Sequence, residues 1–246
     1  MLDEITFTAP RFLGDHGFCV VRADDEELAE LVYRFRYHVY VTLMKRRQIH
    51  ADHLRQQVME PLDGAGTNFL AVKDGRIVGT IRRNMLDDPT TAYYAKVYRA
   101  DLFDRERFPK IAITTKLMML PQYQRSTLPI RLIAAYAADG YVRGVEIDLI
   151  DCNSHLVDFF EKMGYFSYTG WTFHKEYGTV RPMFLSVDAI GYLKSINSFL
   201  WQEAAAAIAD NAYGGYRLIR DLAEEPRNAR IRAAARPLRA GSHASA

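Results

Sequence analysis

Residues 68–83 read NFLAVKDGRIVGTIRR, two apolar runs of strand length joined by Asp74-Gly75. A two-residue Asp-Gly link suits the turn in which both central residues take positive φ, and the twist of that turn matches the twist of paired strands. The stretch therefore commits the chain to a long antiparallel hairpin, and every other element must extend this sheet or cover one of its faces. GFCVVR at 17–22 is a further short strand, and Asp24-Asp25-Glu26-Glu27 supplies an N-cap and an acidic first turn for a helix. Leu28, Leu31, Val32, Phe35 and Val39 recur at helical spacing on that helix, with Arg34, Arg36, His38, Lys45, Arg46 and Arg47 on its other faces.

Residues 84–110 carry Asp-Asp-Pro, several aromatics and the charged DRERFPK, which predicts loop with one short helix. IAITTKLMML at 111–120 is an apolar strand, and a helix is expected over 127–142. VEIDLID at 145–151 is another strand, SHLVDFFEKMGY at 154–165 a helix, and FSYTGWTFHK with VRPMFLSV a further strand pair. The alternation predicts an α/β (α+β) domain over residues 1–187 with a mixed sheet flanked by helices. Beyond it, Ile190, Leu193, Ile196, Leu200, Ala204 and Ile208 predict a long helix in an appendage spanning 188–225, broken at Gly214-Gly215. The Arg/Ala-rich segment 226–246 is expected to lack stable order unless it meets a partner.

With 246 residues, 49% of them hydrophobic, and a formal net charge of +2, the chain has no global signature of a nucleic-acid binder. Cys19 and Cys152 fit no metal-ligand spacing and read as reduced thiols. The N-terminal MLDEITFTAPRF lacks an apolar signal core, and no apolar run approaches the ~20 residues of a membrane span, so a cytoplasmic location is expected.

LPQYQRSTLPIRL, residues 120–132, carries the chemistry. A strand ends at a proline, a polar loop follows, and a helix begins: the layout that holds a phosphate at a helix N-terminus. Such loops are usually rich in glycine, and this one has none.

Together with DCNSHLVDFFEKMGY at 151–165, this loop resembles the acyl-donor core of the GNAT N-acyltransferases. In that family an Arg/Gln-x-x-Gly-x-Gly/Ala turn opens a helix whose amides take the donor's pyrophosphate. An Asn after the next strand then leads to an aromatic helix closing on Lys-x-Gly-Phe. Asn153, Leu156, Phe159, Glu161-Lys162-Met163-Gly164 and Tyr165 stand at the matching places. The N-terminal part is similar to the branch of acyl-homoserine-lactone synthases and N-acyl amino acid synthases. The matching residues there are Phe35-Arg36-Tyr37-His38-Val39-Tyr40, Asp63 and Val78-Gly79-Thr80-Ile81-Arg82.

The resemblance covers residues ~18 to ~187. It implies a GNAT-type, mostly antiparallel sheet and transfer of a medium or long fatty acyl group to a primary amine. The donor is acyl carrier protein, through its phosphopantetheine thioester, or acyl-coenzyme A, with no permanently bound cofactor. The acceptor is an amino acid or an ornithine- or lysine-type side chain.

By the same resemblance, the oxyanion donor is a backbone N–H around Met119–Leu120. Leu120, Gln124, Arg125, Ser126, Thr127, Leu128, Asn153 and Phe160 bind the donor, and Lys116 lies on the acceptor side. Three departures bear on this. Both family glycines are replaced, by Thr127 and Pro129; the threonine hydroxyl can cap the helix, but the loop offers one amide fewer. That suits the single phosphodiester of a carrier-protein arm better than a pyrophosphate. Phe160 stands where many GNAT enzymes have a tyrosine that protonates the leaving thiolate. ITTKLMM at 113–119 keeps only Lys116, beside Thr115, where homoserine-lactone synthases have a glutamate and a cation. A catalytically silent acyl-binding module is the alternative these departures allow.

Asp63, Glu146, Asp148, Asp151 and His155 are candidate proton acceptors, His155 because an ordinary imidazole titrates near neutrality. Arg36 and Arg82 interrupt apolar patterns and need partners. Either they pair with Asp63, or they grip an acceptor carboxylate by a bidentate fork. Tyr93, Tyr94, Tyr98 and Phe103 are candidates to line an acyl pocket, and the tail arginines 227, 230, 232, 236 and 239 to meet an acidic carrier protein.

Overall fold

A computed structural model describes residues 17–186, 189–202 and 205. Strand β1 (Phe18–Arg22) precedes helix α1 (Glu26–Tyr37). The Asp25 carboxylate accepts the Leu28 N–H at 2.9 Å, which starts α1 where the acidic run predicts. Beyond Tyr37 the chain continues as a π-helical turn, His38–Leu43, which carries Tyr40 to a position only 4% exposed. A small hairpin (β2, Ala51–Asp52; β3, Gln57–Val58) and a turn at Pro61–Asp63 follow.

The hairpin read from Asp74-Gly75 is β4 (Thr67–Lys73) with β5 (Arg76–Met85). Asp74 has φ 50° and Gly75 φ 73°, the two positive values that its turn requires. Helix α2 (Ala92–Val97) is the one short α-helix of the 84–110 segment, flanked by 3₁₀ turns. Then come β6 (Ile111–Met119), α3 (Leu128–Val142), β7 (Ile147–Cys152), α4 (Val157–Met163), β8 (Phe166–Ser167), β9 (Thr172–His174), β10 (Gly178–Ser186) and α5 (Ile190–Ser195).

Eight strands form one sheet, ordered β1-β4-β5-β6-β7-β10-β8 with β9 also on β10, and among these pairs β6–β7 alone is parallel. Helices α3 and α4 cover one face through Leu132, Ile133, Tyr136 and Phe160, packed on Phe69, Val78, Ile150 and Met183. The other face has two apolar patches. Leu28, Val32 and Phe35 of α1 lie over Leu70, Val72 and Ile77, while Tyr94, Tyr98 and Phe103 lie over Ile111, Ile113, Ile147 and Leu149. The aromatics expected to line an acyl pocket are thus largely core: Tyr98 is 0% and Phe103 3% exposed.

Two later expectations are corrected. FSYTGWTFHK is not one strand but two short ones, β8 and β9, each paired separately with β10 around the interruption at Gly170. The long C-terminal helix is broken after Ser195, because Asn197 takes φ 54° and Ser198 turns the chain, its hydroxyl donating to the Met163 carbonyl at 2.7 Å; helix resumes at Leu200. Leu193 and Leu200 pack into the α3/α4 core, so the chain just beyond Val187 contributes to the main domain. The remainder of the expected appendage and the Arg/Ala tail fall outside the described residues.

Two features position the centre of the sheet. The β6–β7 pairing ends at Ile113 opposite Leu149, although β6 runs on to Met119 and β7 to Cys152. The β5–β6 register shifts between Thr80 and Arg82, where Lys116 takes φ 55°, a bulge that turns its side chain into the α1/α2 face. Gly79 sits opposite Met119, and a Cβ there would lie 2.2 Å from the Met119 sulfur and 2.8 Å from the Met118 carbonyl. Gly79→Ala is therefore expected to push β5 from β6 and cost about 1–3 kcal/mol. A urea midpoint unchanged from wild type would refute that close approach.

Candidate active site

Six charged side chains run as one chain between the two apolar patches of the α1/α2 face. Arg36 Nη1 donates to both Asp63 oxygens at 2.8 and 2.9 Å, and Nη2 donates to Asn68 Oδ1 at 2.5 Å. Arg82 Nη1 reaches Asp63 Oδ1 at 2.9 Å, its Nη2 reaches Glu60 Oε2 at 2.8 Å, and its Nε donates to Thr115 Oγ1 at 3.0 Å. Lys116 Nζ lies 2.7 Å from Glu60 Oε1 and 3.0 Å from Glu176 Oε2, and sits over the Tyr40 ring at 5.0 Å. Tyr40 in turn exchanges a 2.8 Å hydrogen bond with Tyr177. Three cations meet three anions from α1, the 60–63 turn, β5, the β6 bulge and the β9–β10 turn. Only Glu176, 23% exposed at its side chain, approaches solvent.

The charge states follow from the pairing. Burial pushes the Asp63 carboxyl up, but the Arg36 and Arg82 guanidiniums outweigh it and bring the pKa to about 2. Burial likewise raises Glu60, and Lys116 and Arg82 pull it below its usual value. Asp63 is thus a permanent anion shared by two arginines, which removes it as a proton acceptor. Arg36 and Arg82, both 0% exposed, have their forks occupied by Asp63, Asn68 and Glu60 and are not available to an acceptor carboxylate. Lys116, expected on the acceptor side, is also internal, at 4% exposure.

The loop after β6 differs from expectation in its cap. Thr127 has no side-chain cap hydrogen bond; the Leu128 N–H goes to Ser126 Oγ at 3.2 Å, and Pro129 has none to give. Gln124 turns inward to donate to the Met119 carbonyl at 3.1 Å, whereas Arg125 is exposed. The Leu120 N–H is bound to the Val78 carbonyl at 2.9 Å, so it is not the free oxyanion donor expected. Alternation in an antiparallel ladder turns the neighbouring Met119 N–H to the other edge of β6, toward the gap that opens on β7.

Strand β7 and its end separate the remaining candidates by face. Asp148 points to the α3/α4 side, where it accepts from Thr114 Oγ1 at 2.6 Å, Tyr165 OH at 2.6 Å and Tyr136 OH at 3.1 Å. Asp151, three residues on, falls on the opposite face with Ile147 and Leu149. Glu146 holds the Lys110 N–H at the far end of β7. His155 is exposed on the turn after the strand. The Asn153 amide group donates to the Tyr177 and Thr179 carbonyls, both at 3.1 Å, so it fastens the β9–β10 turn rather than reaching out to a donor. Phe160 is 6% exposed and packs edge-on against Phe159 and Tyr165, a core residue. Cys152 is buried against the Met183 sulfur and its thiol is pushed up to about 12 by burial, which leaves no thiolate for a covalent route.

One functional candidate was not anticipated. His174 Nδ1 accepts the Glu176 and Tyr177 N–H groups at 3.1 and 3.3 Å, which places its proton on Nε2. Burial lowers its pKa to about 4, so it stays neutral. The ring is stacked on Tyr177 at 4.7 Å.

The site thus brings together a parted pair of central strands, a helix N-terminus beyond one of them and an amide turned toward the gap. Residues 31–185 match the family model described as N-acyl amino acid synthase FeeM. The chain belongs to that family. It is an N-acyltransferase. Solved structures of similar fold include the CoA-dependent acyl-homoserine lactone synthase MesI, at TM-score 0.55 and 16% identity, covering 78% of this chain and 95% of MesI. The CoA-dependent acyl-homoserine lactone synthase BjaI, solved with SAM and isopentyl-CoA, gives TM-score 0.56 and 13% identity over 79% of this chain and all of its own. FeeM itself, from uncultured soil microbes, gives TM-score 0.51 and 14% identity over 75% of this chain and 98% of FeeM. No curated protein sequence matches the chain. No helix among the described residues is long and apolar enough to cross a membrane.

Proposed function

We propose that the protein transfers a medium- or long-chain fatty acyl group from the phosphopantetheine thioester of acyl carrier protein to the primary amine of an amino acid. The observation that carries this is the gap between β6 and β7 beyond Ile113, into which the Met119 N–H is turned. A thioester carbonyl threaded there meets a fixed donor for the negative charge that builds on its oxygen as the amine attacks. The family description, N-acyl amino acid synthase, supports an amino acid as acceptor.

The donor reading rests on the start of α3. With the Leu128 amide spent on Ser126 and Pro129 lacking an N–H, the helix end favours one phosphodiester over a pyrophosphate, and the exposed Arg125 adds a positive charge beside it.

The test is intact-mass and product analysis of the purified protein with matched acyl-carrier-protein and acyl-coenzyme A thioesters and a panel of amino acids and ornithine- or lysine-containing peptides. Acylation of a free amino acid, at least about tenfold faster (about 1.4 kcal/mol) from the carrier protein, is expected. Transfer from coenzyme A alone would overturn the donor assignment. Acylation of the peptides alone would move the acceptor to a side-chain amine, and no long-chain transfer at all would overturn the reading itself.

A further inference from the structure

We propose that Asp151 is the general base of this N-acyltransferase, and that the acceptor amine reaches it from the face covered by α2. The inference deepens the reading above and rests on it. Geometry selects Asp151 from the acidic residues of the site, Glu176 being engaged by Lys116 Nζ and Gln48 Nε2. Glu60 and Asp63 are each held by two cations, Asp148 is saturated by three hydroxyls on the opposite face, and Glu146 caps a backbone amide at the wrong end of β7. Asp151 lies two residues past the last β6–β7 pair, at the opening of the gap, on the face of Tyr98 and Lys116. Its Oδ2 is buried and makes no hydrogen bond of ordinary geometry, and the one polar group beside it is the buried Tyr98 hydroxyl, close enough to draw on the carboxylate. A buried carboxylate oxygen left short of a full hydrogen bond, with a hydroxyl beside it, is what a bound ammonium group would satisfy.

The electrostatics fit the role. Burial raises the Asp151 carboxyl, the nearby Tyr98 hydroxyl draws it back, the Glu176 charge raises it further, and the result is about 7. A base with that pKa is ionised just above neutrality and still basic enough to draw on an ammonium. The other titratable groups facing it are Tyr98, Tyr168, Lys116 and Glu176, with the Cys152 thiol next to it on the opposite face of the strand. Burial holds both tyrosines and the thiol neutral, and Lys116 stays charged between Glu60 and Glu176.

The acceptor enters as R–NH₃⁺, and Asp151 takes one proton from it. The freed lone pair forms the N–C bond at the thioester carbonyl while charge collects on the oxygen facing the Met119 amide. The C–S bond then breaks with its electron pair on sulfur. The Asp151 proton passes to that thiolate, the second amine proton goes to solvent, and the products are amide, thiol and one released proton. Asp151 thereby also supplies the acid that Phe160 cannot.

The experiment is a pH profile of kcat/KM for wild type and Asp151→Asn, using an acyl-carrier-protein donor and the amino acid acylated fastest by wild type. Circular dichroism confirms that both are folded. Wild type should rise with unit slope to about pH 7 and then level off until the amine itself deprotonates. Asp151→Asn should be slower by about 10²–10⁴-fold and keep rising through that plateau, because only the minor free-amine form can react. An Asn variant within tenfold of wild type and with the same profile would overturn Asp151 as the base. Wild type that acylates no amino acid would overturn the proposed function instead, so the two failures are distinguishable.

Discussion

Asp63→Asn is expected to lower the stability of the fold by about 3–5 kcal/mol, because it leaves two buried arginines without their shared anion. Arg36 and Arg82 are both 0% exposed, and Glu60 alone cannot replace the lost charge, since it is already engaged by Lys116. The same carboxylate gives the wild-type fold a defined acid sensitivity. Its pKa falls from 3.8 in an ordinary setting to about 2 in the fold. A depressed acid stabilises the folded state at pH values above its ordinary pKa, and that stabilisation, about 2 kcal/mol, is lost as pH falls from 4 toward 2. Urea titrations at neutral pH and at pH 3 check both statements. An Asn variant as stable as wild type at neutral pH would mean that the arginines find other partners and that the six-residue chain is not what joins α1 to the sheet.

That chain also marks the limit of what the sequence discloses. Local chemistry declared itself: the Asp74-Gly75 turn, the Asp25 cap and the apolar stripe of α1 are each settled within a few neighbouring residues. Arg36 and Arg82 were recognisable as charges inside apolar patterns, and Asp63 as one possible partner. What remained open was whether their forks were free, which depends on Asn68, Glu60 and Thr115, brought in by the sheet from other parts of the chain. The Lys116 bulge was hidden for the same reason, since a register shift belongs to two strands and not to one. At the start of α3 the sequence offered adjacent hydroxyls, and backbone geometry chose Ser126 over Thr127: Thr127 is already helical, with φ −77° and ψ −9°, and not in the extended form a capping residue usually takes.

The acidic residues of β7 were more legible than they first look. Asp148 and Asp151 are three apart, and an odd separation on a strand puts them on opposite faces. The sequence therefore held the fact that they cannot share a role, though not which face bears the gap. That came from the parallel pairing ending at Ile113 and Leu149. Leu120 shows the converse case. It was a reasonable oxyanion donor by position, and the ladder's alternation gave its amide to Val78 and turned that of Met119 outward.

Asp151→Asn is expected to stabilise the fold at pH 8, the opposite of Asp63→Asn. The carboxyl moves from 3.8 to about 7 in the folded state, so its ionised form is disfavoured there. For a raised acid the penalty is absent below its ordinary pKa, grows as pH climbs through 4 to 7, and is fully present above, at about 4 kcal/mol. Asparagine never ionises and escapes that cost, though its buried amide gives some of the gain back, which leaves about 2–4 kcal/mol. Urea midpoints at pH 8 and pH 4 check the sign, since at the lower pH the gain should disappear or reverse, leaving only the cost of the buried amide. An equal midpoint for both proteins at pH 8 would mean that Asp151 is solvated or paired in solution. Two aspartates of one site thus respond to the same substitution in opposite directions. Asp63 is buried between two guanidiniums and holds the fold together, whereas the half-buried Asp151 keeps its Oδ2 out of water with no salt bridge to a cation, a cost that an ammonium would relieve.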